Sequence, residues 1–129
     1  MFNVESWRVI VEQGADGRVR SEATVKVFAG DDRTVAVGEG NGPVNALDNA
    51  LRSALSRVFP ELEKFELTDY KVRIVDGVKG TGAVTRVLVD TTDGLTDWTT
   101  VGVHENVIAA SWMALEDAVR FGLLSGDRK

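Results

Sequence analysis

The chain repeats itself. Val37-Gly38 precedes a turn and a helix-forming stretch, and 64 positions later Val101-Gly102 precedes another. The same offset lays Ala46 on Ala110, Ala50 on Ala114, Leu51 on Leu115 and Ala54 on Ala118. Upstream, Arg8-Val9-Ile10-Val11 matches Lys71-Val72-Arg73-Ile74-Val75 at an offset near 63. Landmarks that fall in one order point to two half-chains of one design, about residues 5–60 and 66–123. At 129 residues the chain is one domain, with enough buried surface for a real core. Residues 124–129 read as a frayed tail.

Each half reads as three strands and a helix. Trp7 to Glu12 and Glu22 to Phe28 are rich in β-branched and aromatic residues, with the turn signal Asp16-Gly17 between them. Thr34 to Val37 is a third short strand after Gly30-Asp31-Asp32. The second half has Asp69 to Val75, Ala83 to Asp90 and Trp98 to Val101, with turns at Asp76-Gly77 and Asp93-Gly94. Val44, Leu47, Leu51, Ala54, Leu55 and Val58 form one apolar helical stripe, opened by Pro43 and closed by Pro60. Ile108, Trp112, Leu115 and Val119 form the second, with Gly122 as its end signal. The expected fold is α+β: two pseudo-repeated β-β-β-α units, mostly antiparallel sheet, helices packed on one face.

Composition narrows the function. No Cys removes disulfides, thiolate metal sites and cysteine nucleophiles. A net charge of −5 argues against a nucleic-acid footprint. No run of about 18 apolar residues and no charged-then-apolar leader occur, so a soluble cytoplasmic protein that binds no membrane is expected. His104 is the single histidine, which excludes multi-histidine metal sites and disfavours a Ser-His-Asp machine. Asp31-Asp32 and the group Asp90, Asp93 and Asp97 read as solvated hairpin turns; the latter lacks the order of a calcium loop. Trp7, Trp98 and Trp112 lie on elements, where core or interface packing is their expected role. No catalytic residue and no metal ligand is assigned.

Gly38-Glu39-Gly40-Asn41-Gly42-Pro43 joins a strand to a helix. Its glycines permit positive φ and let a ligand approach the backbone, and the helix start offers free N–H groups for an anion. It is neither G-x-G-x-x-G nor a P-loop, and Glu39 would repel phosphate, so a small carboxylate fits better than a nucleotide. A tight connection without ligand stays open beside that reading. The equivalent Gly102-Val103-His104-Glu105-Asn106 has fewer glycines, as if the two helix starts had diverged in task.

Five joined motifs then carry a resemblance. Gly40-Asn41-Gly42-Pro43-Val44-Asn45-Ala46-Leu47-Asp48-Asn49-Ala50-Leu51 is followed by Leu67-Thr68-Asp69-Tyr70-Lys71-Val72-Arg73 and Gly80-Thr81-Gly82-Ala83-Val84-Thr85-Arg86-Val87. Trp98-Thr99-Thr100-Val101-Gly102-Val103 and Ala110-Ser111-Trp112 complete the series. From about Trp7 to Leu123 the chain resembles the C-terminal regulatory domain of the α-isopropylmalate synthase and citramalate synthase family, the citramalate branch above the other. The resemblance implies two β-β-β-α units, a homodimer, and an amino-acid effector, isoleucine first and leucine second, that inhibits by feedback. Full-length members join this domain to a divalent-metal-dependent barrel condensing acetyl-CoA with a 2-oxo acid; that barrel is absent here, and no cofactor is expected in this domain. The chain would be its excised or free-standing relative and no enzyme by itself.

By motif match the effector residues are Gly40, Asn41, Gly42, Pro43, Leu67, Tyr70, Ile74, Thr81, Ala83 and Val107. Tyr70, Val72 and Ile74 share a strand face by period two, whereas Leu67 falls off that period and is expected at the strand entrance. Backbone donors and Thr81 would take the charged end of the amino acid and the strand its aliphatic tail. The alternative is a structural dimerisation module without ligand. A small enzyme using His104 or paired carboxylates has only the existence of those residues in its favour.

Overall fold

β-Branched and aromatic side chains cannot pack comfortably in a helix and suit a pleated, half-buried surface, so the stretches rich in them become strands. The computed structural model describes residues 2–75 and 84–126. In chain order these form β1 (Phe2–Gln13), β2 (Val19–Ala29), β3 (Asp32–Gly40) and α1 (Pro43–Leu55), then a short 3-10 helix at Pro60–Lys64. There follow β4 (Glu66–Val75), β5 (Val84–Thr92), β6 (Asp97–His104) and α2 (Val107–Gly126). β1-β2-β3 is one antiparallel three-stranded sheet and β4-β5-β6 another. The α+β class and the β-β-β-α repeat stand as expected, with one refinement: each helix has a sheet of its own. Two compact units result, Met1–Leu62 and Glu63–Lys129. Among the described residues no helix is long and apolar enough to cross a membrane.

The duplication holds to the residue. α1 opens at Pro43 and α2 at Val107, 64 positions apart. Trp7 lies opposite Val25 as Tyr70 lies opposite Val89. Even the irregularity is copied: the register slips between Val4 and Ser6 in β1 and between Leu67 and Asp69 in β4. A bulge kept in both halves is a designed bend of the strand.

Small residues set how closely helix and sheet approach. In the second unit Val87 and Val89 of β5 are fully buried with Ala110, Ala114 and Ala118 of α2. Ala46, Ala50 and Ala54 hold the same buried places on α1. The facing strands carry Gly38 and Gly102. A Cβ at Gly38 would fall on the backbone nitrogen of Ala50 and 2.7 Å from the carbonyl oxygen of Ala46, and one at Gly102 would fall on the carbonyl oxygen of Ala110. The helix backbone lies where a side chain would otherwise stand.

Three expectations are corrected. Gly38, Glu39 and Gly40 belong to β3 rather than to a loop, and among the described residues only Gly17, Gly30 and Gly94 have positive φ. Freedom of φ is therefore not why glycine is needed there; close approach is. Val58 lies beyond the end of α1, 39 % exposed, because the helix stops at Leu55, well before Pro60. Gly122 does not end α2, which continues through Gly126. A Cβ at Gly122 would meet the Phe65 ring at 2.5 Å and the Trp98 ring at 2.7 Å. Those rings pack edge to face at 5.4 Å, and the Trp98 indole N–H donates to the Ala118 carbonyl at 3.0 Å. The glycine makes room for a buried aromatic pair.

Candidate functional site

The first unit contributes a helix start. Asn41 and Gly42 alone bridge β3 and α1, and Gly42 takes the N-cap place with extended backbone, φ −140° and ψ 170°. Pro43 follows at the position where its missing N–H costs nothing. Gly42 has no side chain to cap the helix, so the first-turn amides carry no side-chain oxygen, and their partial positive charge faces outward. The segment is held from behind: Asn49 Nδ2 donates to the Glu39 carbonyl at 2.8 Å, tying α1 to the end of β3. At the far end of α1 the Arg52 guanidinium bonds both Asp48 oxygens, at 3.0 and 3.1 Å, and the Leu62 carbonyl at 3.1 Å. Burial pushes the Asp48 carboxyl above its ordinary value, and the Arg52 charge pulls it back only in part.

The equivalent place in the second unit is closed. Asn106 Oδ1 accepts from the Ile108 and Ala109 amides at 2.8 and 3.1 Å, a side-chain cap on α2. Its own N–H donates to His104 Nδ1 at 2.9 Å, so His104 shapes the turn. The two helix starts, Gly42 and Asn106, thus differ in the one property that matters for an anion.

The second unit contributes an apolar strip. α2 lies on β5 and β6 and touches β4 only at its start, so that from Tyr70 onward the helix-side face of β4 is exposed. Tyr70 and Ile74 on that face are 38 % and 71 % exposed, with Val72 between them. Leu67 lies at the strand entrance as expected, the second residue of β4; the slip between Leu67 and Asp69 absorbs Thr68, so that Leu67 nevertheless shares the face of Tyr70. There it packs against the Val87–Ala114 cluster. Tyr70 Oη lies 2.9 Å from Ser111 Oγ, and Ser111 Oγ donates to the carbonyl of Val107, the first residue of α2, at 2.8 Å.

Within the second unit, then, Leu67, Tyr70 and Ile74 share a face, and Val107 is joined to it through Ser111. Gly40, Asn41, Gly42 and Pro43 form the helix start of the first unit. Thr81 and Ala83 lie outside the described residues. Ser111 belongs to the Ala110-Ser111-Trp112 motif but not to the expected effector residues; a serine one place beyond the repeated Ala110, where the first half has Leu47, is the signal that marks it. The carboxylates have local roles: Asp93 Oδ1 accepts from the Leu95 and Thr96 amides at 2.8 and 2.7 Å, and Asp90 accepts from the Thr99 hydroxyl.

Known proteins resemble the chain over most of its length. The family model of the LeuA allosteric (dimerisation) domain matches residues 1–123. The (R)-citramalate synthase of Streptomyces coelicolor is 62 % identical over 123 residues, 95 % of this chain and 23 % of that protein. Those of Synechocystis and Aquifex aeolicus are 54 % identical over 101 residues and 43 % over 129, covering 78 % and 99 % of this chain and 18 % and 24 % of theirs. The chain therefore spans less than a quarter of the length of these relatives.

Proposed function

Because the chain belongs to the LeuA allosteric (dimerisation) domain family, we propose that it binds a branched-chain amino acid, isoleucine before leucine, as the feedback inhibitor of a synthase of the citramalate type. The effector contacts in this proposal are Gly40, Asn41, Gly42 and Pro43 of the first unit and Leu67, Tyr70, Ile74, Thr81, Ala83 and Val107 of the second. The synthase, which joins acetyl-CoA to a 2-oxo acid, is a further part of the proposal, as are a homodimer and a cytoplasmic setting. No cofactor enters it.

The observation that carries the reading is the open helix-side strip of β4. Val87 and Val89 beside it are fully buried, whereas Tyr70, Val72 and Ile74 on the same face meet solvent. An apolar strip beside a buried core is the surface that an aliphatic side chain of four carbons covers well. On the first unit, the uncapped start of α1 offers backbone donors and a positive helix end, which suit a carboxylate. Affinity in the micromolar range corresponds to about −8 kcal/mol. Discrimination between isoleucine and leucine rests on the place of one methyl branch, about 1–3 kcal/mol.

Titration calorimetry of isoleucine, leucine and valine into the chain tests the reading. Saturable heat with isoleucine at sub-millimolar concentration is the expected result. A dimer in sedimentation that takes up none of the three at millimolar concentration supports instead the structural dimerisation module.

A further inference from the structure

The two halves differ at a pair of residues that link a strand to its covering helix in the second. Tyr70 occupies the register place of Trp7, and Ser111 that of Leu47. Leu47 is fully buried in the first unit, and Ser111 is 1 % exposed in the second. Where one repeat has a tryptophan and a leucine, the other has two hydroxyls 2.9 Å apart. A buried hydroxyl in place of a leucine is costly unless its bonds are made.

Counting protons fixes their direction. Ser111 has one, and it goes to the Val107 carbonyl at 2.8 Å, an atom that only accepts. The contact between Ser111 and Tyr70 is then a hydrogen bond only if Tyr70 donates. The Tyr70 proton is spent inward, and its oxygen keeps lone pairs alone for the open side of β4. Such an oxygen accepts from an ammonium and cannot donate to a carboxylate.

We propose that Ser111 is a positioning residue of the effector site: it accepts the hydrogen bond of the Tyr70 hydroxyl, fixes the ring beside the start of α2, and leaves the phenol oxygen as an acceptor for the effector's amino group. The proposal rests on the reading that an amino acid lies against Tyr70. A serine that merely back-bonds its own helix at i−4 would need no tyrosine. The sequence contains a single tyrosine, so tyrosine spectroscopy of the whole chain reads Tyr70 alone.

The test has two arms. In the ligand-free chain the ultraviolet resonance Raman doublet of tyrosine is expected to have the donor pattern and to lose it in Ser111→Ala. A doublet of acceptor type in the wild type overturns the assignment. In calorimetry, Ser111→Ala and Tyr70→Phe are each expected to weaken isoleucine about tenfold, the loss of one hydrogen bond to a charged group. The double variant is expected to be no weaker than either single one. Binding of 3-methylpentanoate, which lacks the amino group, is expected to be unchanged in both. Equal isoleucine affinity in wild type and Ser111→Ala overturns the Ser111 assignment alone. If the wild type binds neither isoleucine nor leucine, the effector reading has failed and the assignment falls with it, even with a donor-type doublet.

Discussion

Thr91 and Val27 occupy the same place in the two halves, and both are buried on the helix side of a central strand. Among the described residues the Thr91 hydroxyl has no hydrogen-bond partner, so it bears the cost of desolvation with nothing in return. Thr91→Val is expected to raise stability by about 1 kcal/mol, read as a higher denaturant midpoint at constant slope. Gly38 and Gly102 are the opposite case. Gly38→Ala and Gly102→Ala push a methyl group into the backbone of the covering helix, and each is expected to cost about 1–3 kcal/mol or more. Gly42→Ala, with open space around it and an extended backbone, is the control: it loses only the preference of an N-cap for glycine over alanine and should cost about 1 kcal/mol or less. At this scale the sequence was only half legible. Three glycines near one turn look like a flexible loop, yet two of them are strand residues that let a helix come close. The legible clue is repetition: a Val-Gly pair present in both halves marks packing common to both.

Helix α1 is open at its start and braced elsewhere, and each feature has a consequence. Gly42→Asp would supply the missing cap and a negative charge at the positive end of the helix. The variant is expected to be equal to or more stable than wild type by a few tenths of a kcal/mol, and to bind the proposed effector at least tenfold less well, since its own carboxylate takes the amides. Asn106→Ala removes the cap of α2 and is expected to cost about 0.5–2 kcal/mol by denaturation. Asp48 sets a pH dependence. Its folded-state value is raised by burial, so the native chain holds this proton more tightly than the unfolded chain. The cost of ionising it is absent in acid below the ordinary carboxylate value and fully present above the raised one. Asp48→Asn is therefore expected to gain stability relative to wild type as pH rises through and above the ordinary carboxylate range. Residue patterning, an apolar stripe for each helix and β-branched and aromatic enrichment for each strand, located both helices and every strand core, because it reflects which side chains are buried. It missed the bulge at Thr68, which changes the face without changing composition, and it misread Gly122, since a glycine facing Phe65 and Trp98 looks in sequence like a helix stop.

Across the whole molecule, duplication supplies two units of equal build, and divergence then gives them different chemistry: an uncapped helix start in one, a hydroxyl pair beside an open strand in the other. Duplication was legible because it leaves a fixed offset in sequence. The hydroxyl pair was not, since Tyr70 and Ser111 are far apart in the chain and only the pairing of β4 with β5 under α2 brings them together. For a regulatory domain, inhibition requires the effector to bind one arrangement more tightly than another, typically by about 1–3 kcal/mol of coupling. Everything in that scheme depends on an amino acid lying on these residues. The most direct measurement is a backbone amide nuclear magnetic resonance titration of the chain with isoleucine. Saturable shifts at Val44 and Asn45 in the first turn of α1, and at Tyr70 and Ser111, are the predicted result. Millimolar isoleucine that leaves those four amides unmoved would contradict it.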